Sequence, residues 1–465
     1  MREFEINQDN AIFVVLCFEG PDVYAQAGGL GVRVTNLVQT LARAEYPTHL
    51  FFIGDPKMKG EETQLGGKLI LHRWCQWISA NHPLGCYQGE KDKLADYAKS
   101  IPPYLIEKII KPAAVQNKLV VVLAEEWQTA GVIIRMHDAL VKQNLRNNVV
   151  AFWNANNTYG FEKIDFKQLA RSSTITTVSR YMKHIMWQSG VNAVVIPNGI
   201  PRRLLDPLDC NLSVRIRKSL KADLVLAKIA RWDPDKRWNM AMEAVAGLKT
   251  RGFATKLIAR GGMEGYGEEV LDHARSLGLK VKDVNTDNRS LEGFITAIEN
   301  NSREGDVLNL KFYCPQDFLR QIYYTADAVL ANSGREPFGL VGLETMAAGG
   351  VAFTGSTGEE YAVPFYNAIV LETANPKEIE SYVTYLYNHP DESLRLRTAG
   401  RLTASQFTWE QVIENLIQRL GFQAGVQGIM ATEEISPCPP TDHTVLDELL
   451  TPTDTRDKTN GVVRL

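Results

Sequence analysis

Two glutamates separated by seven residues are the first side chains in this sequence whose arrangement suits chemistry. Glu336 and Glu344 lie in a segment that follows an apolar run and has the three- and four-residue apolar spacing of a helix. Three residues would open that helix, where unpaired amides favour a phosphate: Phe338, Gly339 and Leu340. The pattern predicts that one carboxylate meets a sugar while the other accepts hydrogen bonds from ribose hydroxyls.

Two cations follow another apolar run in the same half of the chain. The guanidinium of Arg231 can bind phosphate oxygens in a planar fork, and Lys236 adds a point charge. Together they would neutralise a diphosphate leaving group without a metal ion. The intervening Asp233-Pro234-Asp235 has a pattern that some sugar transferases use to hold a divalent cation. No further carboxylate cluster accompanies it, so we predict no metal site.

The whole chain alternates between strand-like and helix-like segments, which would position these residues. The predicted strands of the first half are 12–18, 49–53, 119–123, 149–153 and 174–178. Those of the second half are 224–230, 255–258, 308–313, 328–331 and 351–353. This alternation predicts an α/β fold with two Rossmann-like, doubly wound parallel-sheet domains that face a central cleft.

A cluster of Pro, Asn and Gly at 196–201 interrupts the pattern and suggests the boundary between the domains. We predict an acceptor-binding domain at 1–200 and a donor-binding domain at 201–405. A helix at about 406–422 is expected to pack back on the first domain. Residues 428–465 are rich in Pro, Thr and Asp and are predicted to form a flexible tail.

Composition narrows the class of protein further. A hydrophobic share of 45% and a net charge of -3 over 465 residues are typical of a globular enzyme and give no reason to expect nucleic acid as a partner. Six scattered cysteines without metal-type spacing predict reduced thiols, and the start has no apolar signal core, so a cytoplasmic location is expected. Residues 101–118 could lie on an anionic membrane as a basic amphipathic helix, but packing in the core is favoured.

Taken in order, these segments resemble the retaining GT-B glycosyltransferases of group 1, a family that includes glycogen synthases and sucrose synthases. The resemblance covers about residues 12 to 420. The glutamate and cation pairs resemble the family's paired glutamates and its diphosphate-binding residues. Residues 195–200 are similar to the segment that joins the family's two lobes, and Gly28 and Gly29 to the glycine loop of its first lobe. The stretch 125–130 is similar to an Asp-Trp-His-Thr stretch of the glycogen-synthase-like members.

The resemblance implies transfer of a hexose, with glucose preferred, from a nucleotide diphosphate sugar to a hydroxyl acceptor. UDP-glucose is the first expectation for the donor and ADP-glucose the second, with no cofactor and no metal. The residues expected to be catalytic are Arg231, Lys236 and Glu336. Those expected to bind the donor are Gly28, Gly29, Phe338, Gly339, Leu340, Glu344, Tyr313 and Cys314. The candidates on the acceptor side are Trp127, Asn154 and Asn156.

Two departures from the family pattern keep other functions open. Gln26 stands where glycogen-synthase-like members carry a lysine, and Ala155 where they carry a histidine that contacts the transferred sugar. A non-catalytic nucleotide-sugar-binding protein with a regulatory or assembly role would tolerate both changes. A nucleotide-sugar epimerase or a phosphorylase on the same scaffold is a further alternative.

Overall fold

The first sheet is formed by the apolar runs of the first half of the chain. The computed structural model describes residues 4–355, 358 and 360–429. The strands are β1 (Ala11–Leu16), β2 (Thr48–Ile53), β3 (Glu61–Gln64), β4 (Leu69–Trp74), β5 (Leu119–Glu125), β6 (Val149–Ala155), β7 (Thr174–Thr177) and β8 (Val194–Val195). Every residue of β5 and β6 is buried, as expected for strands that helices cover on both faces.

The strand order of this sheet is β3-β4-β2-β1-β5-β6-β7-β8, and only the β3–β4 pair is antiparallel. The helices around it are α1 (Gly29–Arg43), α2 (Gln76–Ser79), α3 (Glu90–Leu105), α4 (Lys111–Val115), α5 (Trp127–Lys142), α6 (Phe166–Ser172) and α7 (Arg180–Gln188). Without the antiparallel edge strand, the order corresponds to that of a doubly wound dinucleotide-binding sheet.

The second sheet has the corresponding strand order with one strand fewer, and all of its strand pairs are parallel. Its strands are β9 (Leu224–Ile229), β10 (Thr255–Arg260), β11 (Val281–Val284), β12 (Val307–Leu310), β13 (Ala328–Ala331), β14 (Ala352–Thr354) and β15 (Ile369–Val370), in the order β11-β12-β10-β9-β13-β14-β15. The helices are α8 (Cys210–Leu220), α9 (Trp238–Thr250), α10 (Tyr266–Ser276), α11 (Leu291–Asn301), α12 (Gln316–Thr325), α13 (Leu340–Ala347), α14 (Pro376–Asn388), α15 (Pro390–Ser405) and α16 (Trp409–Val426). Two doubly wound α/β sheets confirm the predicted fold class.

The chain crosses between the sheets twice at one place. The N–H of Ile200 donates to the carbonyl of Phe407 at 2.8 Å, and the N–H of Trp409 donates to the carbonyl of Ile200 at 3.0 Å. A side chain at Gly199 would collide with Trp409, so the crossing requires glycine there. From this point α16 packs on α1 and β6. Residues up to Ile429 form one compact unit by their contacts, so the domain boundary after residue 200 stays a prediction.

The stretch at 101–118 packs in the core. Leu105, Ile106, Ile109 and Ile110 are buried in the hydrophobic cluster of the first lobe, where they are not available to a lipid surface. Within the described residues, no helix is both long enough and apolar enough to cross a membrane. The predicted tail falls outside the described residues from 430 onward.

Candidate functional site

The predicted cations and carboxylates follow β9 and β13, two neighbouring parallel strands of the second sheet. β9 leads into the loop that carries Arg231 and Lys236, and β13 leads into the loop that carries Glu336. The strand order reverses between β9 and β13, which makes their carboxyl ends the topological switch point of the sheet. Ligands of open α/β sheets bind in the crevice at such a point.

Lys236 and Glu336 form an ion pair across this switch point. Lys236 Nζ lies 2.8 Å from Glu336 Oε2, and the side chains are 14% and 32% exposed. The N–H of Gly334 also donates to the carbonyl of Asp235 at 2.7 Å, so a backbone bond ties the same two loops together. The structure therefore brings together two of the three residues that we expected to be catalytic.

Arg231 lies on the same loop as Lys236, and its side chain is exposed. Its carbonyl accepts from Trp238 Nε1 at 2.8 Å, which fixes the backbone while leaving the guanidinium in solvent. Asp233 caps the turn Pro234–Lys236 by accepting from the N–H of Asp235 at 2.8 Å. In the described part of the chain no three His, Cys, Asp or Glu side chains are grouped as metal ligands.

Lys228 is a buried cation beneath this site that sequence reasoning missed. It lies on β9, and its ammonium donates to Asn332 Oδ1 at 2.7 Å and to the carbonyl of Leu330 at 3.0 Å. Burial, together with the smaller effect of the nearby charge of Lys236, lowers the pKa of Lys228 to about 7. The available signal was a lysine in an otherwise apolar strand, since an unpaired charge is rarely buried.

The helix α13 begins at Leu340, after a left-handed residue at Gly339 with φ 79°. The hydroxyl of Tyr361 donates to the carbonyl of Gly339, and a side chain at Gly342 would collide with that hydroxyl. Phe338 is buried, and its ring packs against the ring of Tyr361 with the centroids 5.5 Å apart. The helix therefore starts where the sequence predicts, with its first turn fixed by an aromatic ring.

Glu344 occupies a different environment from Glu336. It lines a cavity of about 120 Å³ that also touches Arg33, Asn198 and Trp409, residues of the first lobe and of the two crossings. Burial raises the pKa of Glu344 to about 7, against the lowering effect of the neighbouring polar side chains of Gln316 and Tyr323. The two glutamates thus lie in different environments: Glu336 is next to an ammonium group, and Glu344 is in an enclosed space between the sheets.

Arg33 connects the first lobe to the crossing segment, and the sequence did not reveal this role. Its Nε lies 3.3 Å from Glu125, and both side chains are less than a tenth exposed, at 7% and 2%. The guanidinium also donates to Asn198 Oδ1 and lies 5.6 Å from the ring centroid of Trp409. A basic residue inside the apolar spacing of α1 was the signal that could have identified it.

The glycine loop before α1 has a partner inside the chain. Glu19 accepts from the N–H of Gly28 at 3.0 Å and from the N–H of Gly31 at 2.9 Å. Nothing lies within 4 Å of a side chain built at Gly28 or Gly29, so the loop faces open space. A buried carboxylate therefore holds the loop, and its contact with donor phosphates stays a prediction.

The acceptor-side candidates separate into two groups. Trp127 lines a cavity of about 420 Å³ in the first lobe. Asn154 is buried and donates to Glu125 at 2.9 Å while accepting from Thr176 at 3.0 Å, so its amide is used within the protein. Asn156 likewise donates to Glu125, at 2.7 Å. An adjacent residue that sequence reasoning passed over, Glu126, lines the same cavity as Trp127.

Tyr313 and Cys314 follow β12, two strands away from β9 in the sheet. The side chain of Tyr313 is exposed, whereas Cys314 is buried and its thiol donates to the carbonyl of Phe312. Burial raises the pKa of Cys314 to about 11, which keeps the thiol neutral. Tyr313 remains the side chain of this loop that is free to meet a nucleotide base.

Two of the comparisons with known proteins found similarities to this chain. Residues 214–403 match the family model described as glycosyl transferases group 1. No match was found among curated proteins. A sucrose-phosphate synthase from Thermosynechococcus elongatus has a similar structure, with TM-score 0.61, 16% identity, and coverage of 90% of this chain and 100% of that chain.

Two further structures are similar to the same extent. The catalytic domain of starch synthase IV from Arabidopsis thaliana, bound to ADP and acarbose, has TM-score 0.59, 14% identity, and coverage of 90% of this chain and 99% of its own. An α,α-trehalose-phosphate synthase (UDP-forming) from Burkholderia xenovorans, in complex with glucose-6-phosphate, has TM-score 0.58, 12% identity, and coverage of 88% and 99%. The protein therefore has the GT-B fold, and its residues 214–403 are similar to the group 1 glycosyl transferases.

Proposed function

We propose that the protein transfers a hexose from a nucleotide diphosphate sugar to a hydroxyl acceptor, with retention of the anomeric configuration and without a metal ion. Glucose is the proposed sugar, and UDP-glucose is preferred to ADP-glucose as the donor. The observation that carries the proposal is the Lys236–Glu336 ion pair at the switch point of the second sheet. It sets a cation and a carboxylate side by side where a nucleotide sugar would present diphosphate and sugar.

In the proposed reaction the bond between the anomeric carbon and the diphosphate oxygen breaks first. Negative charge develops on the departing oxygen, which Lys236 and the exposed guanidinium of Arg231 would stabilise. The acceptor oxygen then bonds to the anomeric carbon on the same face, and the acceptor's proton leaves with the nucleoside diphosphate. Because these two side chains supply positive charge, no divalent cation is required in this scheme.

Lys228 supports the site from below without touching the solvent. Its hydrogen bonds join β9 to β13 and to Asn332, the residue that follows β13, so the two loops with the ion pair rest on a shared buried contact. Preorganised charges cost little reorganisation when the reaction begins, which is the condition for effective electrostatic stabilisation. Glu344 would accept hydrogen bonds from the ribose in the enclosed space beside α13.

A thermal-shift screen against UDP-glucose, ADP-glucose, GDP-mannose and the free nucleoside diphosphates tests donor binding, since a ligand that binds the folded state raises its melting temperature. We expect UDP-glucose to give the largest rise, and release of UDP when an acceptor is present. Repeating the release assay with excess chelator tests independence from metal. Binding of none of these nucleotides would rule out the proposed function.

A non-catalytic nucleotide-sugar-binding role is the second candidate, and Ala155 favours it. This residue is fully buried at the end of β6, where the resembled family has a histidine for the transferred sugar. An epimerase on the same scaffold is the other alternative. Product analysis separates these cases, because a binding protein leaves the donor intact, an epimerase changes the sugar while it stays on the nucleotide, and a transferase forms a new glycoside.

A further inference from the structure

A cavity of about 420 Å³ opens in the first lobe beside the glycine loop. It lies near the carboxyl ends of β1 and β5, the switch point of the first sheet. The lining residues are Glu19, Gly29, Leu30, Tyr87, Glu90, Glu126, Trp127, Gln128, Asn157 and Tyr159. All of them belong to the first lobe, and three carry a carboxyl group while none is Lys, Arg or His.

The carboxyl groups are held firmly in place. Glu19 is buried, with Oε2 bound by two backbone amides and Oε1 accepting from Tyr87 at 2.7 Å. Glu90 Oε1 accepts from Gln128 Nε2 at 3.1 Å. Glu126 accepts from the N–H of Asn156 at 2.8 Å, and its burial raises its pKa to about 8, so near neutral pH it is largely a neutral carboxylic acid. The wall thus carries two fixed negative charges and one hydroxyl donor.

The backbone at Glu126 is in an uncommon conformation. Its φ of 69° with ψ of 167° belongs to a region that residues other than glycine rarely enter. Hydrogen bonds hold it there, since its N–H donates to Asn154 at 2.9 Å and its carbonyl accepts from Trp153 Nε1 at 3.0 Å. Strain of this kind is retained where it orients a functional side chain.

Two buried polar atoms of the lining have no partner among the described residues. They are Trp127 Nε1, a donor, and Gln128 Oε1, an acceptor. An unpaired buried polar group is costly, so both are available to a ligand with hydroxyl groups. The rings of Trp127 and Tyr159, 6.4 Å apart, add an apolar surface of the kind that binding sites combine with a few polar groups.

We propose that this cavity binds the acceptor and selects an uncharged polyol, such as a free sugar or an unphosphorylated glycoside, against sugar phosphates. The proposal rests on the glycosyltransferase function proposed above. A phosphate placed among Glu19 and Glu90 would be repelled, because like charges in a partly buried site are costly. The trehalose-phosphate synthase compared above was crystallised with glucose-6-phosphate, so the acceptor would differ from that ligand in charge.

Lys163 is a cation that lies beside one wall of the cavity. Lys163 Nζ is 3.9 Å from the ring centroid of Trp127, although Lys163 is not part of the lining. If a phosphorylated acceptor used this ammonium, Lys163→Gln would weaken its transfer selectively. We expect this substitution to leave the preference between neutral and phosphorylated acceptors in place.

The test compares matched acceptors, glucose with glucose-6-phosphate and fructose with fructose-6-phosphate, by kcat/KM for glycoside formation from the donor found in the nucleotide screen. We expect the kcat/KM of the neutral member of a pair to exceed that of the phosphorylated member by about ten- to a hundredfold.

Glu90→Gln removes a charge while retaining an acceptor oxygen. It should reduce this ratio of kcat/KM values severalfold, with the donor KM unchanged. Asp92→Asn, on the same turn of α3, is the matched control and should leave the ratio as it is. A preference for the phosphorylated member, or an equal ratio in wild type and Glu90→Gln, would overturn the proposal.

Failure of the proposed function would appear separately, as absence of nucleotide-sugar binding in a screen that contains no acceptor. In that case, binding of the same four sugars to the cavity can still be measured by the quenching of tryptophan fluorescence. If the neutral sugars quench the fluorescence and Trp127→Phe abolishes this quenching, the proposed selection of uncharged acceptors would be supported. Quenching by the phosphates alone, or by none of the sugars, would refute it.

Discussion

Lys236 Nζ and Glu336 Oε2 lie 2.8 Å apart although 100 positions separate the two residues in the chain. Each residue is in a loop after a parallel strand, and the strands are neighbours in the second sheet. The pair is partly buried, so its geometry is better defined than that of an exposed ion pair. A departing diphosphate would share the ammonium with Glu336, which makes Lys236 the most direct point at which to test the site.

Replacing Lys236 by Ala is expected to lower kcat by about two to three orders of magnitude, as is typical when a preorganised charge is removed from a transition state. The measurement is donor-dependent release of the nucleoside diphosphate. Lys282→Ala is the matched control, because that lysine pairs with Glu304 elsewhere on the same lobe. An unchanged kcat in a folded Lys236→Ala protein would remove Lys236 from the mechanism.

Lys228 should make stability depend on pH. Its pKa falls from 10.5 to about 7 on folding, because burial disfavours the ammonium. Between these values the unfolded chain holds a proton that the folded chain lacks, so this group's contribution to stability rises with pH and is lost as the pH falls through about 7. Lys228→Met removes the effect, and wild type should gain melting temperature relative to the variant from about pH 7 to 9. If the difference in melting temperature between wild type and Lys228→Met stayed constant across this pH range, the lowered pKa of Lys228 would be contradicted.

Glu344 should make donor binding depend on pH. With a pKa of about 7 it is largely protonated at lower pH and cannot accept two ribose hydrogen bonds. Calorimetric affinity for the nucleotide sugar should therefore fall by up to about tenfold from pH 8 to pH 6, in proportion to the ionised fraction. Glu344→Gln should flatten this profile, whereas Lys282→Ala, which breaks an ion pair with Glu304 elsewhere on the same lobe, should retain it. A profile of unchanged slope in Glu344→Gln would show that another group titrates.

The Arg33–Glu125 pair should contribute strongly to stability, because both side chains are buried. Arg33→Met leaves the carboxylate of Glu125 without its cation, at a cost of about 3–5 kcal/mol in the free energy of unfolding. Adding Glu125→Leu should recover part of this loss, as measured by urea denaturation. Arg275→Met, which breaks the exposed pair with Asp272, should cost less than about 1 kcal/mol. Additive losses for Arg33 and Glu125 would contradict direct coupling.

Local periodicity was sufficient to identify most of the sheets. Every predicted strand is present with its bounds shifted by a few residues, because buried parallel strands appear as continuous apolar runs. Five strands were missed: the edge strands β3, β8, β11 and β15 and the inner strand β4. Glu61–Gln64 and Val281–Val284 contain polar residues, and β8 and β15 have only two residues each, so their strand conformation depends on a neighbouring strand. Edge strands are less buried than central ones, so their sequences carry a weaker signal.

The sequence by itself determined the α/β class, the helix after Gly339 and the candidate roles of Lys236 and Glu336, because each follows from residues close together in the chain. Only the tertiary structure decided that Lys228 supports the site, that Glu19 holds the glycine loop and that three carboxyl groups share one cavity. These relationships depend on which strand ends become neighbours. Strand order is set by crossovers that span many residues, and no local spacing encodes it.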